Sequence, residues 1–393
     1  MRLVQITAGV AEGDAVTNYV FQLDKFFRKQ KIFNKTTIFA EAFAGKRPTN
    51  VHHLATYTPR KNDVIIYHHS VGLLYFDSFL LKDVKPLIVY HNITPSHFYL
   101  KWDFRAAARM DLGRYQLHRL AKLNLPAVAL SKFSASELLE IGFQNVTVLP
   151  YPIDAVAKDL INRKNEANRK DEFESERNSK KKNKNNNSDK SRLIKQKDQR
   201  WRNWCNESVP YLLFVGRIAP NKGIDHLLKA FKRVKKQGNY RLIIVGSFRS
   251  ANDSYGSYLR DLVSELQLES NVCWTGYVDD QELNTIRKRA RVFVSLSEHE
   301  GFGVPFVEAM ASQLPILAYC SEFSSVAEVL GGAGIGFSVI DYDWISKVMI
   351  QLIHDEHLRS LVVKGQNQRL LKLQSINVLD RLSELIQEFI DTK

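Results

Sequence analysis

The stretch SEHEGFGVPFVEAMA, residues 297–311, is the most informative segment of this chain. It places two glutamates, Glu300 and Glu308, eight positions apart across a turn that contains Gly301 and Gly303. The glycines let backbone N–H groups approach a ligand closely, and the apolar run after them predicts the start of a helix. A phosphate-bearing ligand would meet the N-terminus of that helix, so the pattern predicts a site for a sugar nucleotide.

The two carboxylates suit different parts of such a ligand. Glu300, in the turn, can accept hydrogen bonds from sugar hydroxyls or face a ring that carries developing positive charge. Glu308, one turn into the helix, can accept two ribose hydroxyls at once, because ionised acceptors make the stronger hydrogen bonds. The alternative is that Glu300 is a solvated loop residue and Glu308 a surface residue with a salt-bridge partner. Phe306, Val307 and Met310 indicate a buried helix and favour the first interpretation.

This stretch resembles the E-x7-E motif of retaining glycosyltransferases with the GT-B fold, in particular glycosyltransferase family 4. Upstream, residues 211–215 predict a buried strand that leads into GRIAPNKG, residues 216–223. In the family this loop holds the donor diphosphate, so the resemblance implies that Gly216, Arg217 and Lys222 do so here. Departure of a nucleoside diphosphate develops negative charge, which fixed cations stabilise.

The resemblance assigns further donor contacts along the chain. It implies that residues 271–278 form a strand and turn whose backbone contacts the nucleobase. His91 follows the predicted strand 87–90, and ligands of open α/β sheets bind beyond such carboxyl ends. The resemblance places His91 beside the donor sugar; the alternative is a hydrogen-bonded loop histidine. The remaining donor-binding residues implied by the resemblance are Tyr277, Val278, Gly301, Phe302, Gly303 and Val304.

Five further residues are candidates for the cleft wall: Gly13, Asp14, His68, His69 and Asn92. Gly13 and Asp14 occupy the place of the family's glycine-rich first loop, and Asp14 is also a plausible helix N-cap. Neighbouring histidines can bind metals, but no carboxylate or cysteine lies at ligand spacing, so a polar wall is favoured.

A D-x-D pattern at residues 341–343 precedes a predicted helix, where an aspartate is more simply an N-cap. We therefore predict no metal requirement and no cofactor.

Strand and helix signals alternate along the chain, which predicts parallel sheets covered by helices on both faces. The resemblance implies an α/β GT-B fold with two Rossmann-like domains facing across a cleft. The 393 residues, 44% hydrophobic, suffice for two cores. The predicted boundaries are 1–152 for the acceptor-side domain, 153–208 for a basic low-complexity linker, 209–375 for the nucleotide-sugar domain and 376–393 for a helix that packs back on the first domain.

Most of the basicity is concentrated between the predicted domains. Residues 158–202 contain 16 Lys and Arg against 8 Asp and Glu, a net charge of +8 out of the chain's +14. Such a segment predicts a disordered, solvated linker. Contact with an anionic membrane surface is the alternative. Nucleic acid is the third choice, because aromatic residues that could stack on bases are not interleaved through the run: Phe173 is isolated within it, and Trp201 and Trp204 lie at its end.

Other features favour the cytoplasm. The three cysteines lack paired spacing, so neither a disulfide framework nor a zinc site is expected. Residues 1–9 lack the features of a signal peptide and contain a predicted first strand at residues 3–7, and no apolar run approaches the ~20 residues of a membrane span. Peripheral contact with the inner face of the membrane remains an alternative.

One residue departs from the family pattern. After Ala311 and Ser312 the family usually has glycine, whereas this chain has Gln313. A left-handed conformation there would cost glutamine on the order of 1 kcal/mol.

Together these observations lead us to expect a metal-independent retaining glycosyltransferase. It would move a sugar from a nucleotide-sugar donor to a hydroxyl of a glycan, a lipid-linked glycan or another acceptor, in cell-surface polysaccharide, lipopolysaccharide or lipid-linked glycan synthesis. The alternatives are a sugar-nucleotide epimerase or glycan phosphorylase, a catalytically silent GT-B partner subunit, and a nucleic-acid- or membrane-binding protein that acts through the basic segment.

Overall fold

The computed structural model describes residues 1–45, 47–80, 86–153, 198–248 and 253–391. Most of the predicted linker, residues 154–197, lies outside the described residues. The described part contains two parallel sheets, one on each side of that segment, as the alternation of strands and helices predicts. Within this part no helix is both long and apolar enough to cross a membrane.

The first domain has a seven-stranded parallel sheet of order β3-β2-β1-β4-β5-β6-β7 in the described residues. The strands are β1 (Arg2–Ala11), β2 (Lys35–Ala44), β3 (Val51–His53), β4 (Asp63–His69), β5 (Pro86–Tyr90), β6 (Ala127–Ala129) and β7 (Val146–Val148). The helices between them are α1 (Ala15–Gln30), α2 (Asp77–Leu80), α3 (His97–Leu100), α4 (Phe104–Ala121) and α5 (Lys132–Ile141).

The second domain has a six-stranded parallel sheet of order β10-β9-β8-β11-β12-β13 in the described residues. The strands are β8 (Tyr211–Val215), β9 (Arg241–Val245), β10 (Val272–Gly276), β11 (Val292–Ser295), β12 (Ile316–Tyr319) and β13 (Ile335–Phe337). The helices are α6 (Arg200–Trp204), α7 (Ile224–Lys235), α8 (Ser254–Glu265), α9 (Asp280–Arg289), α10 (Val304–Ala311), α11 (Ser325–Leu330), α12 (Tyr342–His354), α13 (Glu356–Gln374) and α14 (Val378–Asp391).

The strand order explains why distant motifs meet. In each sheet the chain adds strands first toward one edge and then toward the other, starting from two neighbouring strands at the switch point. These two strands are β1 and β4 in the first sheet and β8 and β11 in the second. Open α/β sheets bind ligands at such switch points, beyond the carboxyl ends of the strands. The loop 216–223 follows β8 and the turn 296–303 follows β11, so the topology alone sets them side by side.

The second domain begins earlier than the predicted residue 209. Arg200 of α6 donates hydrogen bonds to the carbonyl oxygens of Glu269 and Val272, each at 2.7 Å. Trp201 and Trp204 on the same helix are both buried, with 5% of their surface exposed. These two tryptophans are therefore core residues and are not available to stack on nucleic-acid bases.

The C-terminal helix α14 contributes to an apolar cluster that contains residues of both domains, and its packing against the first domain stays a prediction. Leu382 and Ile386 of α14 are buried in the same apolar cluster as Leu23 and Phe27 of α1.

The N-cap prediction for Asp341 is confirmed, and the structure defines the turn at Gln313 that the departure from the family pattern left open. The Asp341 carboxylate accepts hydrogen bonds from the backbone N–H groups of Asp343 and Trp344 at 2.9 and 3.1 Å, so it caps α12. Gln313 has a φ of +56°, and Leu314 N–H donates to the Ala309 carbonyl at 2.9 Å. Helix α10 therefore ends in a left-handed turn that glycine would adopt with less strain.

Candidate active site

The turn after β11 touches the first domain where β5 ends. A Cβ atom added to Gly301 would lie 2.3 Å from the carbonyl oxygen of His91 and 4.0 Å from the Cβ of Asn92. Any side chain at this position would push the two backbones apart. The glycine is thus required for close approach between the domains, and this approach forms the floor of the cleft.

A buried ion pair joins the two motifs of the second domain. Lys222 Nζ lies 2.6 Å from Glu300 Oε2, and the two side chains are 11% and 12% exposed. Desolvation lowers the pKa of Lys222, Glu300 partly offsets this effect, and Arg217 adds to it. The loop can bring Lys222 here because Gly223 has a φ of +58° and packs against the carbonyl oxygen of Leu296.

Asn221 locks the two loops together, and sequence reasoning missed it. Its Nδ2 donates to the His299 carbonyl at 2.8 Å, and its own carbonyl accepts from the Glu298 N–H at 2.9 Å. Only 1% of the residue is exposed. The sequence shows only that Asn221 lies between Pro220 and Lys222 in a loop with two cations. That position does not predict the hydrogen bonds that Asn221 makes.

Arg217 faces the first domain across the cleft. Its side chain is accessible to solvent but lies near groups of both domains. Desolvation lowers the pKa of Arg217, but Tyr99 and Asp14 outweigh it, so the pKa is raised. Glu300 acts in the same direction. Arg217 therefore remains a cation, as a diphosphate-binding residue requires.

His91 is held neutral beside this group of charges. It is 6% exposed, its Nε2 is 3.1 Å from His68 Nδ1, and His68 Nε2 is 3.0 Å from Gln5 Oε1. Desolvation lowers the pKa of His91 to about 3, and Asp14 opposes that shift. A neutral imidazole in this place can hydrogen-bond a hydroxyl without adding charge.

The predicted cleft wall needs a correction at His69. Because successive residues of a strand point to opposite faces, His68 and His69 cannot both face the cleft. His69 is fully buried, with Nδ1 2.7 Å from the Tyr67 hydroxyl and Nε2 2.9 Å from the Gly113 carbonyl oxygen. It ties β4 to α4. His68 is also fully buried and supports His91 from behind.

Asn92 and Asp14 have structural partners at the cleft. Asn92 has a φ of +63° and its Nδ2 donates to Ser134 Oγ at 3.1 Å. Asp14 caps α1, where its carboxylate accepts from the Thr17 N–H at 2.9 Å. Both residues shape the backbone of the first domain where the second domain meets it.

Tyr277 reaches across to the glycine of the first loop. A Cβ added to Gly13, whose φ is +72°, would lie 3.1 Å from the Tyr277 ring. Desolvation and a hydrogen bond with Glu12 raise the pKa of Tyr277 to about 12. Val278, the next residue, is buried at the turn after β10. The turn predicted to contact a nucleobase is therefore braced against the first domain.

Glu308 has the salt-bridge partner that the alternative interpretation allowed, and the structure identifies it as Arg287. Arg287 Nη2 pairs with Glu308 Oε2, and the side chains are 5% and 23% exposed. Tyr151, from the end of the first domain, stacks on Phe302 with 5.9 Å between ring centroids. Desolvation raises the pKa of Tyr151, and the charge of Glu308 adds to the effect, while the Tyr151 hydroxyl donates to the Ala15 carbonyl at 3.2 Å.

The described residues hold no group of three or more His, Cys, Asp or Glu side chains arranged to bind a metal. The metal independence of the chemistry stays a prediction.

Residues 195–369 match the family described as Glycosyl transferases group 1. This segment is less than half of the chain, so the match shows that the second domain is similar to that family.

Curated relatives match only part of the chain. The O-antigen chain mannosyltransferase B of Escherichia coli is 34% identical over 152 residues, which cover 38% of this chain and 39% of that protein. The GDP-mannose:cellobiosyl-diphosphopolyprenol alpha-mannosyltransferase of Xanthomonas oryzae pv. oryzae is 34% identical over 122 residues, 30% of this chain and 31% of that protein. The similarity thus spans well under half the length of these relatives.

Solved structures match over the whole chain. Sucrose-phosphate synthase from Thermosynechococcus elongatus has a TM-score of 0.72 at 16% identity and covers 100% of both chains. Anabaena Alr3699/HepE in complex with UDP and glucose has a TM-score of 0.71 at 14% identity and covers 99% of this chain and 100% of that one. At these identities the likeness shows the fold alone, and it confirms the predicted two-domain architecture.

The contact between Gly301 and His91 can be tested by adding a single methyl group. Gly301→Ala should lower the free energy of unfolding by about 1–3 kcal/mol, because the new Cβ overlaps a carbonyl oxygen and the domains must separate. Urea unfolding measures the change.

The matched control is Gly365→Ala in α13, where an added Cβ has no neighbour within 4 Å and should stabilise the helix by about 0.5–1 kcal/mol. Equal stability of Gly301→Ala and the wild type would contradict the close contact.

The buried histidines predict loss of stability in mild acid. Burial lowers the pKa of His69 to about 4 and that of His91 to about 3, and it places that of His68 well below 6.5. Between these lowered pKa values and the ordinary value of 6.5, the unfolded chain binds more protons than the folded chain. The free energy of unfolding should therefore fall as the pH drops from 7 to 5. Each histidine contributes up to about 1.4 kcal/mol per pH unit. His69→Gln should reduce the slope. An unchanged slope in His69→Gln would contradict the assignment.

Proposed function

We propose that this protein is a metal-independent retaining glycosyltransferase of family 4, which transfers a sugar from a nucleotide-sugar donor to an acceptor hydroxyl. The observation that carries the proposal is the ion pair between Lys222 and Glu300, with Arg217 beside it, at the junction of the two domains. These are the residues that the diphosphate loop and the E-x7-E stretch bring to the cleft.

The charges at this junction fit the requirements of the reaction. Arg217 and Lys222 can bind the diphosphate and stabilise the negative charge that develops as it leaves, without reorganising at the moment of reaction. Glu300 then faces the donor sugar. Glu300 and Lys222 are paired to each other, so a bound donor replaces part of this contact. Its phosphate then contacts Lys222, and its sugar hydroxyls contact Glu300.

Retention requires attack on the face that the leaving group departs from. In the proposed step the bond between the anomeric carbon and the diphosphate oxygen breaks, and a bond to the acceptor oxygen forms on the same face. The departing phosphate takes the acceptor proton, so no enzymatic base is needed. Neutral His91 hydrogen-bonds the donor sugar, and Glu308 accepts the ribose hydroxyls.

The comparisons support a choice of substrates. Two of the curated relatives are named as mannosyltransferases, one of them with a GDP-mannose donor, and one structural neighbour contains UDP and glucose. We therefore propose a nucleoside diphosphate hexose as donor. The acceptor is a cell-surface polysaccharide, lipopolysaccharide or lipid-linked glycan, and the enzyme works in the cytoplasm at the inner face of the membrane.

Nucleotide release from a panel of UDP-, GDP-, dTDP- and ADP-sugars tests this function. One donor should be turned over, with no effect of a chelator. Arg217→Ala and Glu300→Gln should lower the rate by roughly 10²- to 10³-fold, the loss typical of removing one group that stabilises transition-state charge. The matched control is Lys236→Ala, an exposed lysine at the end of α7.

Near-wild-type turnover in Arg217→Ala would remove the diphosphate assignment. Donor turnover that stops on addition of the chelator would contradict metal independence. Absence of binding to every donor would favour a catalytically silent subunit.

A further inference from the structure

Arg287 is the one buried charge of helix α9. Of the three basic residues that end this helix, Lys288 and Arg289 are exposed, whereas Arg287 is 5% exposed. Its guanidinium is directed to the second carboxylate of the E-x7-E stretch and pairs with Glu308 Oε2.

The two side chains of this pair differ in their exposure to solvent. The guanidinium is buried, but Glu308 is 23% exposed. Arg287 therefore lies on the protein side of the carboxylate. Among the described residues Glu308 Oε1 has no hydrogen-bond partner, so this oxygen remains available to a ligand.

A gain in folding stability does not explain why the chain has a charged pair at Arg287 and Glu308. The desolvation of two charges offsets most of their attraction, and replacing such a pair by apolar residues is often neutral or stabilising. A planar guanidinium does, however, hold a carboxylate in one orientation better than a solvated contact would.

Helix α9 also connects Arg287 to the turn after β10. A capping box fixes the start of α9, because the Asp279 side chain accepts from the Glu282 N–H at 2.8 Å and Glu282 reaches back to the Asp279 N–H at 3.3 Å. The N-cap residue, Asp279, directly follows Tyr277 and Val278 in the sequence. The helix thus sets Arg287 at a fixed distance from the turn assigned to the nucleobase.

We propose that Arg287 is a positioning residue for the donor ribose: it holds Glu308 in the orientation that accepts the ribose hydroxyls and so makes the protein select ribonucleotides. This inference rests on the proposed function, because it takes a nucleotide to be the ligand of Glu308. Arg287 itself does not touch the ligand.

Nucleotide affinity with and without the ribose hydroxyls tests the proposal. Calorimetric titration would compare UDP and GDP with their 2′,3′-dideoxy analogues in the full chain. Arg287→Met should weaken binding of the preferred ribonucleotide by roughly tenfold, the scale of one hydrogen bond to a charged group. It should leave the affinity for the dideoxy analogue unchanged. Arg287→Lys should recover part of the loss.

Two further variants separate positioning from folding. Arg289→Met removes an exposed charge from the same helix and should bind like the wild type. Arg287→Met combined with Glu308→Gln removes both charges, leaves no unpaired ion, and should bind the ribonucleotide no more weakly than Glu308→Gln alone.

Equal losses for the ribonucleotide and the dideoxy analogue in Arg287→Met would overturn the inference while leaving the proposed function intact, and so would no loss for either. A wild-type protein that binds neither UDP nor GDP would overturn the proposed function and this inference together.

Discussion

The contact between Gly301 and the carbonyl oxygen of His91 is the constraint on which the site depends. The turn after β11 reaches the first domain because position 301 has no side chain, and an added Cβ would lie 2.3 Å from that oxygen. Since Glu300 precedes this glycine and Phe302 follows it, the contact also determines where the carboxylate and the Phe302–Tyr151 stack lie. Strand order explains the rest, because it brings the loop after β8 beside the turn after β11.

Around this contact the protein buries charges that add little to its stability. Lys222 pairs with Glu300 and Arg287 pairs with Glu308, and apolar residues of similar size would fold at least as well at such places. Both pairs join a carboxylate of the E-x7-E stretch to a cation from a different segment. The arrangement makes sense as a set of fixed charges for a ligand that carries two phosphates and many hydroxyls.

Sequence patterns predicted the elements that depend on local chemistry. The apolar runs located the strands, and Asp14 and Asp341 were recognisable as helix caps. The missing glycine at residue 313 left the turn there open, and Gln313 adopts the left-handed conformation. Glu300, Lys222 and Arg217 were assigned through the resemblance to family motifs, and the structure brings the loop and the turn that carry them together.

Partners that come together only through tertiary packing could not be predicted. Arg287 lies in a helix full of charges, and nothing in its spacing distinguishes it from exposed Arg289. His69 was placed at the cleft because two adjacent histidines follow a strand, but only one face of the strand can point there. The tryptophans at the end of the basic run were interpreted with the linker, although both are buried in the second domain.

A crystal structure of the protein with UDP-glucose or GDP-mannose bound would test the central claim, that both motifs bind one nucleotide sugar. The account predicts phosphate oxygens within hydrogen-bonding distance of Arg217 and Lys222, the ribose on Glu308, and the sugar between Glu300 and His91. A donor bound anywhere else, or in the cleft with its diphosphate away from both cations, would contradict it.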